Sequence, residues 1–191
     1  MKNLLILIAT ILSFTATAQT AKEIEMVTLV NQVRTNPKSF IPAVEAYMTE
    51  MSTATKTLSG GIKMTRKVNP ALITELKFLI SFLKTVKPVG ELTTSTVLYP
   101  ITKKFVNYLD SVKQITHIGP NGQTLADRTK STGLLCGENC TTGGDVNHAM
   151  ILLLLDFKAE VKGHRNNIFN PKFTKIAVAN SNGYWVQDFA Y

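Results

Sequence analysis

The chain has 191 residues, of which 45% are hydrophobic and 18% are charged, enough apolar material for one domain with a full core. Its 21 basic residues outnumber 13 acidic ones, but the excess is scattered in isolated pairs, which argues against a nucleic-acid partner. A basic domain instead suits anionic partners such as an envelope polymer or lipid headgroups.

The amino-terminal stretch "MKNLLILIATILSFTATAQT" has the three-part pattern of a secretory signal. One lysine is followed by an apolar run and then by the small residues "ATA", so a signal peptide is predicted over residues 1–18. The run is too short to span a bilayer unless it is retained as an uncleaved anchor, which is the alternative. We expect a secreted or periplasmic protein without stable membrane insertion, whose single domain covers residues 19–191.

The first helix is predicted over residues 21–33, where apolar side chains recur at three- and four-residue intervals. It ends near Pro37, because the residue before a proline avoids the helical conformation. Residues 49–66 are rich in Thr, Ser and Gly, and this composition predicts an exposed connection.

A second helix begins at Pro70 with Asn69 as its cap, since proline fits the first helical position. Its predicted buried face consists of Leu72, Leu76, Leu79 and Leu83. A third helix is predicted over residues 93–112, with Pro100 at a kink or near the start.

Residues 117–144 are dense in polar and turn-forming side chains, which predicts a long functional loop. Asp145 then caps a predicted core helix that runs to residue 161 and is apolar almost all round. The runs "FTKIAVAN" and "YWVQDFAY", separated by "SNG", predict an antiparallel hairpin. Helices first and paired strands last predict an α+β fold.

Four residues beside turns or helix ends carry groups that bind divalent cations, namely His117, Glu138, Asp156 and His164. Neutral imidazole suits zinc, and carboxylate oxygen suits harder ions. No H-E-x-x-H motif is present in the sequence. Glu160 and His164 are four residues apart, but Gly163 interrupts the helix between them. A further histidine, His148, lies about 12 Å along the helix from Asp156 and is interpreted as an ordinary hydrogen-bonded side chain.

The two cysteines, Cys136 and Cys140, lie in the stretch "CGENC". A disulfide between them, a soft-metal clamp and a reactive thiol all remain open. Residues four apart are too distant for an unstrained bridge in a helix, whereas a loop permits one.

Several stretches together resemble the signatures of one family. They are "CGENC", "KGHRNNIFNPKFTKIAVA", "YWVQDFA", "LVNQVRTNPKSF" and "HIGPNGQTLADR". The combination resembles the CAP superfamily, or SCP domain, of cysteine-rich secretory, antigen 5 and pathogenesis-related proteins, and its bacterial secreted branch in particular. The resemblance implies an α-β-α sandwich with a central antiparallel sheet between helical layers. Residues 50–95 match nothing in the family pattern and are interpreted as a lineage-specific insert.

The resemblance also implies a cleft lined by two histidines and two acids, which fall here on His117, Glu138 and His164 with Asp156 as the fourth. Glu160 is the fallback for that fourth position.

Three polar residues near the cleft are expected to support structure rather than to bind a ligand. Pairing of Arg165 with Asp127 or Glu138 would fix the loop, and an amide such as Asn166 would satisfy carbonyls at a helix end. Arg128 is expected to have a similar structural role.

The first functional hypothesis is a secreted binding module in which His117 and His164 hold a divalent cation, zinc before others, beside a small or polymeric envelope ligand. The second is a metal-assisted hydrolase acting on protein or cell wall, with Glu138 as base. The third is a non-catalytic interaction protein with a vestigial cleft and a partner surface on the insert.

Overall fold

The structure is a computed structural model that describes residues 18–53, 55–57, 61, 63–65, 67–157, 159 and 161–191. The predicted signal peptide, apart from residue 18, and the fallback acid Glu160 lie outside the described residues. Among the described residues, none of the helices combines the length and the hydropathy that crossing a bilayer requires.

The described residues form seven α-helices, here called α1 Ala21–Thr35, α2 Ile41–Ser52, α3 Pro70–Thr85, α4 Tyr99–Val112, α5 Leu125–Thr129, α6 Val146–Leu155 and α7 Gly163–Ile168. The strands are β1 Thr55–Thr57, β2 Lys63–Thr65, β3 Thr93–Thr94, β4 Cys136–Thr142, β5 Lys175–Ser181 and β6 Tyr184–Ala190.

Local hydrogen bonds explain where the predicted helices begin. The side chain of Thr20 accepts from the N–H of Glu23, whose carboxylate accepts from the N–H of Thr20, so a capping box starts α1. The side chain of Asn69 caps α3 directly before Pro70, as the sequence predicts.

The central sheet has the order β3-β5-β6-β4. Its three long strands are antiparallel, as the family resemblance implies, and the two-residue strand β3 adds a parallel edge beside β5. Strands β1 and β2 pair separately as a small antiparallel hairpin within the predicted insert.

Helices cover both faces of this sheet because alternate strand residues point to opposite sides. On β5, Ile176 and Val178 join a core with α1, α2, α3 and α6. The intervening Ala177 and Ala179 join a second core with α4. The α+β sandwich implied by the family resemblance is therefore confirmed.

The insert takes part in the main core. The α3 side chains Leu76, Leu79 and Leu83 are fully buried, and Leu72 packs beside them. Residues 50–95 thus supply helix α3 to the sandwich instead of forming a separate appendage.

Three predicted boundaries are wrong. The third predicted helix begins at Tyr99 instead of residue 93, because Thr93 and Thr94 pair with β5 as strand β3. The segment from 117 to 144 is not one long loop, because its residues Cys136–Thr142 form β4 and pair in full register with β6. The core helix α6 ends at Leu155 instead of continuing to residue 161, because Asp156 takes a left-handed conformation with φ +46° and closes it. Aspartate is one of the few residues that accept this conformation.

Candidate functional site

The candidate site lies along β4, which occupies one edge of the described sheet. Side chains on one face of this strand meet the segment that carries His117 and α5, and side chains on the other face meet α7, which carries His164. The two histidines therefore reach the site from opposite layers of the sandwich and meet over the edge strand.

The first half of the site joins His117 to Glu138. Nδ1 of His117 lies 2.9 Å from Oε1 of Glu138, and the guanidinium of Arg128 donates to Oε2. Arg128 also donates to the carbonyl of His117 at 3.0 Å and stacks on the ring of Phe105 at 3.5 Å. Because Arg128 holds both the carboxylate and the backbone of the histidine, it fixes the geometry of this pair, in keeping with its predicted structural role.

The second half joins His164 to Asp156. Nδ1 of His164 lies 2.6 Å from Oδ1 of Asp156, and Oδ2 accepts from the N–H groups of His164 and Arg165. Burial acts to raise the pKa of Asp156, but the hydrogen bond and charge of His164 and these backbone donors outweigh burial and lower the pKa. The carboxylate is thus held in its ionised form against the ring.

The turn that brings His164 into place is made by Asp156, whereas the sequence analysis points to a break at Gly163. Gly163 is the first residue of α7, and only Asp156 of the two has a positive φ. The same aspartate therefore ends one helix and orients the histidine at the start of the next.

The imidazole rings of His117 and His164 lie 6.3 Å apart between centres, inclined by 43°. Their side chains are 54% and 27% exposed, whereas those of Glu138 and Asp156 are only 2% and 5% exposed. Each exposed ring thus rests on a buried carboxylate at Nδ1, which leaves Nε2 as the nitrogen available to a ligand.

Three amides brace the strand between the two halves. Nδ2 of Asn139 donates to the carbonyl of His164 at 3.2 Å and to Gln187 at 3.0 Å. Nδ2 of Asn167 donates to Oδ1 of Asn139 at 2.9 Å and to the carbonyl of Glu138 at 3.3 Å. Only the Gly-Glu-Asn motif in the sequence points to this network, through Asn139.

The predicted partners of Arg165 are wrong. Arg165 contacts neither Asp127 nor Glu138 but donates to the carbonyls of Leu154 and Leu155 at the end of α6, and its guanidinium lies 4.6 Å over the ring of Phe82. It thereby satisfies the helix-end carbonyls, the role expected of an amide. The amide itself, Asn166, is exposed on α7.

Of the three alternatives left open for the cysteines, the disulfide is excluded, because both Cys136 and Cys140 are free thiols. They stand on the same strand, where residues four apart are separated by about 13 Å, whereas a disulfide needs Cα atoms roughly 4–7 Å apart. The sequence left the disulfide open because it predicts a loop for these residues.

Cys140 nevertheless comes close to the site. Nδ1 of His117, a carboxylate oxygen of Glu138 and Sγ of Cys140 lie within 4.8 Å of one another, and this is the group among the described residues that could hold an ion at an inner position. Burial, followed by the charge of Glu138, raises the pKa of the Cys140 thiol far above its usual range. A protonated thiol is a poor ligand, so this inner position is less favourable than the exposed rings.

An acid that the sequence analysis missed lies directly behind Glu138. Asp188 is the cross-strand partner of Glu138 on β6, is 1% exposed, and accepts from the hydroxyl of Thr102 at 2.6 Å. Its signal in the sequence is an acid in the middle of a strand of buried residues, where an ionisable group is unusual.

His148 is separate from the site. It stands in the first turn of α6, at the end of the helix away from Asp156, and its ring packs 5.5 Å from that of Tyr47. This position agrees with the prediction that His148 is an ordinary structural side chain and not a ligand.

The arrangement is thus an α+β sandwich with two carboxylate-held histidines over an edge strand. The chain is similar to an extracellular protein containing an SCP domain from Bacillus anthracis, with 18% identity and a TM-score of 0.48 over 68% of this chain and 45% of that one. It is also similar to an outer surface protein from Borrelia burgdorferi, with 16% identity and a TM-score of 0.47 over 65% and 95%.

A cysteine-rich secretory protein from Staphylococcus aureus is a third similar structure, with 17% identity and a TM-score of 0.41 over 68% of this chain and 42% of that one. This chain therefore spans less than half of the Bacillus and Staphylococcus proteins. No family model matches the chain, and no curated protein matches it. The fold and the function are therefore argued from the geometry of this chain itself.

Proposed function

We propose that the protein is a secreted binding module whose cleft holds a divalent cation, zinc in particular, between Nε2 of His117 and Nε2 of His164. Its excess of basic residues and its predicted signal peptide suit a role at the cell envelope, with an anionic polymer or lipid headgroup as partner.

The observation that carries this proposal is the pairing of each histidine with its own buried carboxylate. A carboxylate at Nδ1 keeps the ring proton on that nitrogen, so Nε2 presents its lone pair. Glu138 does this for His117 and Asp156 does it for His164. Two neighbouring pairs of this kind are the outer support that histidine metal sites use.

The donor set fits zinc. Imidazole nitrogen is a preferred zinc ligand, and His117 and His164, whose ring centres lie 6.3 Å apart, are the residues that would hold the ion. A bound ion would supply a Lewis-acidic centre with coordination positions left for an anionic oxygen of the ligand.

Binding is favoured over hydrolysis by the state of Glu138. Its side chain is 2% exposed, and its two oxygens are already engaged by His117 and Arg128. A general base must reach the proton it removes, and this carboxylate is turned into the protein. We infer that Glu138 orients His117 and does not act as a base.

The interaction-protein hypothesis with a partner on the insert is less favoured, because much of the insert is structural. Leu76, Leu79 and Leu83 of α3 are fully buried in the main core, so deleting residues 50–95 would remove part of the fold. Envelope binding is better tested with the intact chain.

Calorimetric titration of the purified, metal-free protein with zinc at neutral pH tests the proposal. We expect one ion per chain, and we expect His117→Ala and His164→Ala each to abolish the binding isotherm. His148→Ala is the matched control and retains wild-type affinity, because His148 lies at the far end of α6. Equal isotherms for the wild type and both cleft variants would disprove the site.

A further inference from the structure

Two buried carboxyl groups face each other beneath the histidine site. Glu138 on β4 and Asp188 on β6 are paired across the strands, and they are 8% and 1% exposed. Arg128 is the cation that contacts this pair, through Glu138. Two ionised carboxylates here would leave one buried negative charge without a counter-ion, which is costly in a low-dielectric interior.

Only one of the two carboxyl oxygens of Asp188 has a hydrogen-bond partner among the described residues. Its Oδ2 accepts from the hydroxyl of Thr102 at 2.6 Å. Its Oδ1 is buried and has no hydrogen-bond partner within the part of the chain that the structure describes. Both oxygens of Glu138 are acceptors, so a bond between the two acids requires that one of them carry a proton.

We infer that Asp188 is a positioning residue of the histidine site, whose protonated carboxyl group donates a hydrogen bond to Glu138 and so holds that carboxylate in place for His117. The proton belongs on Asp188 because both oxygens of Glu138 are already engaged, one by Arg128 and one by His117, whereas Oδ1 of Asp188 has no partner among the described residues. The inference deepens the proposed function, since Glu138 orients one of the two proposed ligands.

The surroundings agree with a protonated acid. Burial, followed by the negative charge of Glu138, raises the pKa of Asp188 to about 7, and the Thr102 hydroxyl and the Arg128 charge only partly offset this. The other titratable groups that act on Asp188 are the thiols of Cys136 and Cys140 on β4, which burial keeps neutral by raising their pKa. On β5 the register partner is the apolar Ala177.

A raised pKa has a defined consequence for stability. Because the folded protein binds the Asp188 proton more tightly than the unfolded chain does, the stabilisation is complete below the ordinary aspartate pKa and is lost as the pH rises through about 7. The wild type should therefore lose stability on account of this group as the pH rises from about 4 to about 7, and should lose no more of it above that range.

Carboxyl ¹³C NMR of the metal-free protein tests the proton directly. We expect an aspartate side-chain signal that is still in the protonated form at pH 6 and that is absent from Asp188→Asn. A titration in which all aspartate carboxyl groups are ionised at pH 6 would overturn the inference. This measurement does not depend on zinc, so it decides the inference even if the proposed metal site fails.

Paired variants test the positioning role. An asparagine side chain at this position would keep a donor towards Glu138, so Asp188→Asn is expected to bind zinc within about threefold of the wild type, whereas Asp188→Ala loses about tenfold or more. The pH dependence of unfolding attributed to Asp188, between about pH 4 and pH 7, should vanish in Asp188→Asn. An unchanged pH profile, or equal zinc affinities for the two variants, would contradict the role; if Asp188→Ala does not fold, the NMR titration and the Asp188→Asn profile decide.

Discussion

Asp156 holds His164 by two separate hydrogen bonds, one to the ring at 2.6 Å and one to the backbone N–H at 3.0 Å. The same residue closes α6 in the left-handed conformation. A single aspartate therefore sets both the path of the chain between α6 and α7 and the orientation of the ring that follows.

Replacing Asp156 with asparagine removes the charge but keeps a side chain that tolerates the left-handed conformation. We expect Asp156→Asn to weaken zinc binding about tenfold to a hundredfold, because the ring loses its carboxylate. The free energy of unfolding should fall by about 1–3 kcal/mol, because buried donors lose a charged acceptor. Calorimetry and urea denaturation measure the two effects. Asp110→Asn is the control and should leave zinc affinity unchanged. Asp110 is paired with Lys113 on the α4 side of the sheet, away from the histidines.

The contribution of Asp156 to stability should depend on pH in the direction set by its lowered pKa. A carboxyl group whose folded pKa lies below its ordinary value contributes fully above that ordinary value and loses its contribution as the pH falls through the folded one. We expect the difference in unfolding free energy between the wild type and Asp156→Asn to be constant near pH 6 and to shrink below about pH 4. A difference that grew on acidification would contradict the assignment of an ionised Asp156.

Cysteine variants distinguish two possible zinc sites, the Nε2 pair of His117 and His164 and the inner group that includes Cys140. With the Nε2 pair as the site, Cys140→Ser leaves zinc affinity nearly unchanged, because the thiol is buried and protonated. Zinc held by the inner group of His117, Glu138 and Cys140 would instead be lost in this variant. Cys136→Ser is the matched control on the same strand. Thiol titration of the unfolded, unreduced protein should find both cysteines free.

Gly137 in the Gly-Glu-Asn motif is required for packing. A Cβ atom at this position would lie 2.8 Å from Cζ of Phe173 and 3.1 Å from the side-chain oxygen of Asn167. We expect Gly137→Ala to destabilise the protein by about 1–3 kcal/mol in urea denaturation, because the ring and the amide must move. Gly90→Ala is the control, since a Cβ there meets nothing within 4 Å and φ is not positive. Equal stability of the two variants would show that the close contact is relieved at no cost.

Much of the helical layer was predictable because its signals are local. The cap at Asn69, the proline at position 70 and the leucine spacing of α3 lie within a few turns of one another, and the structure places that helix as predicted. The final hairpin was predictable for the same reason, since "SNG" separates two apolar runs. The CAP motifs pointed to His117, Glu138, Asp156 and His164, and these four residues do lie together.

The strand β4 was not predictable in this way, because the hydrogen bonds that make it a strand come from β6, nearly fifty residues further along the chain. Its glycine, glutamate and asparagine are depleted in strands, so the sequence predicts a loop until that partner is in place. For this reason the sequence left a disulfide between Cys136 and Cys140 open.

The sequence by itself determined helices α1 and α3, the final hairpin and the residue types available to the cleft, because capping and apolar periodicity act between near neighbours. Only the tertiary structure decided which carboxylate holds which histidine, where α6 ends, and that Asp188 lies buried behind Glu138. These features depend on burial and on pairing between distant segments, and the energy of a buried charge is set by whichever groups the completed fold brings beside it.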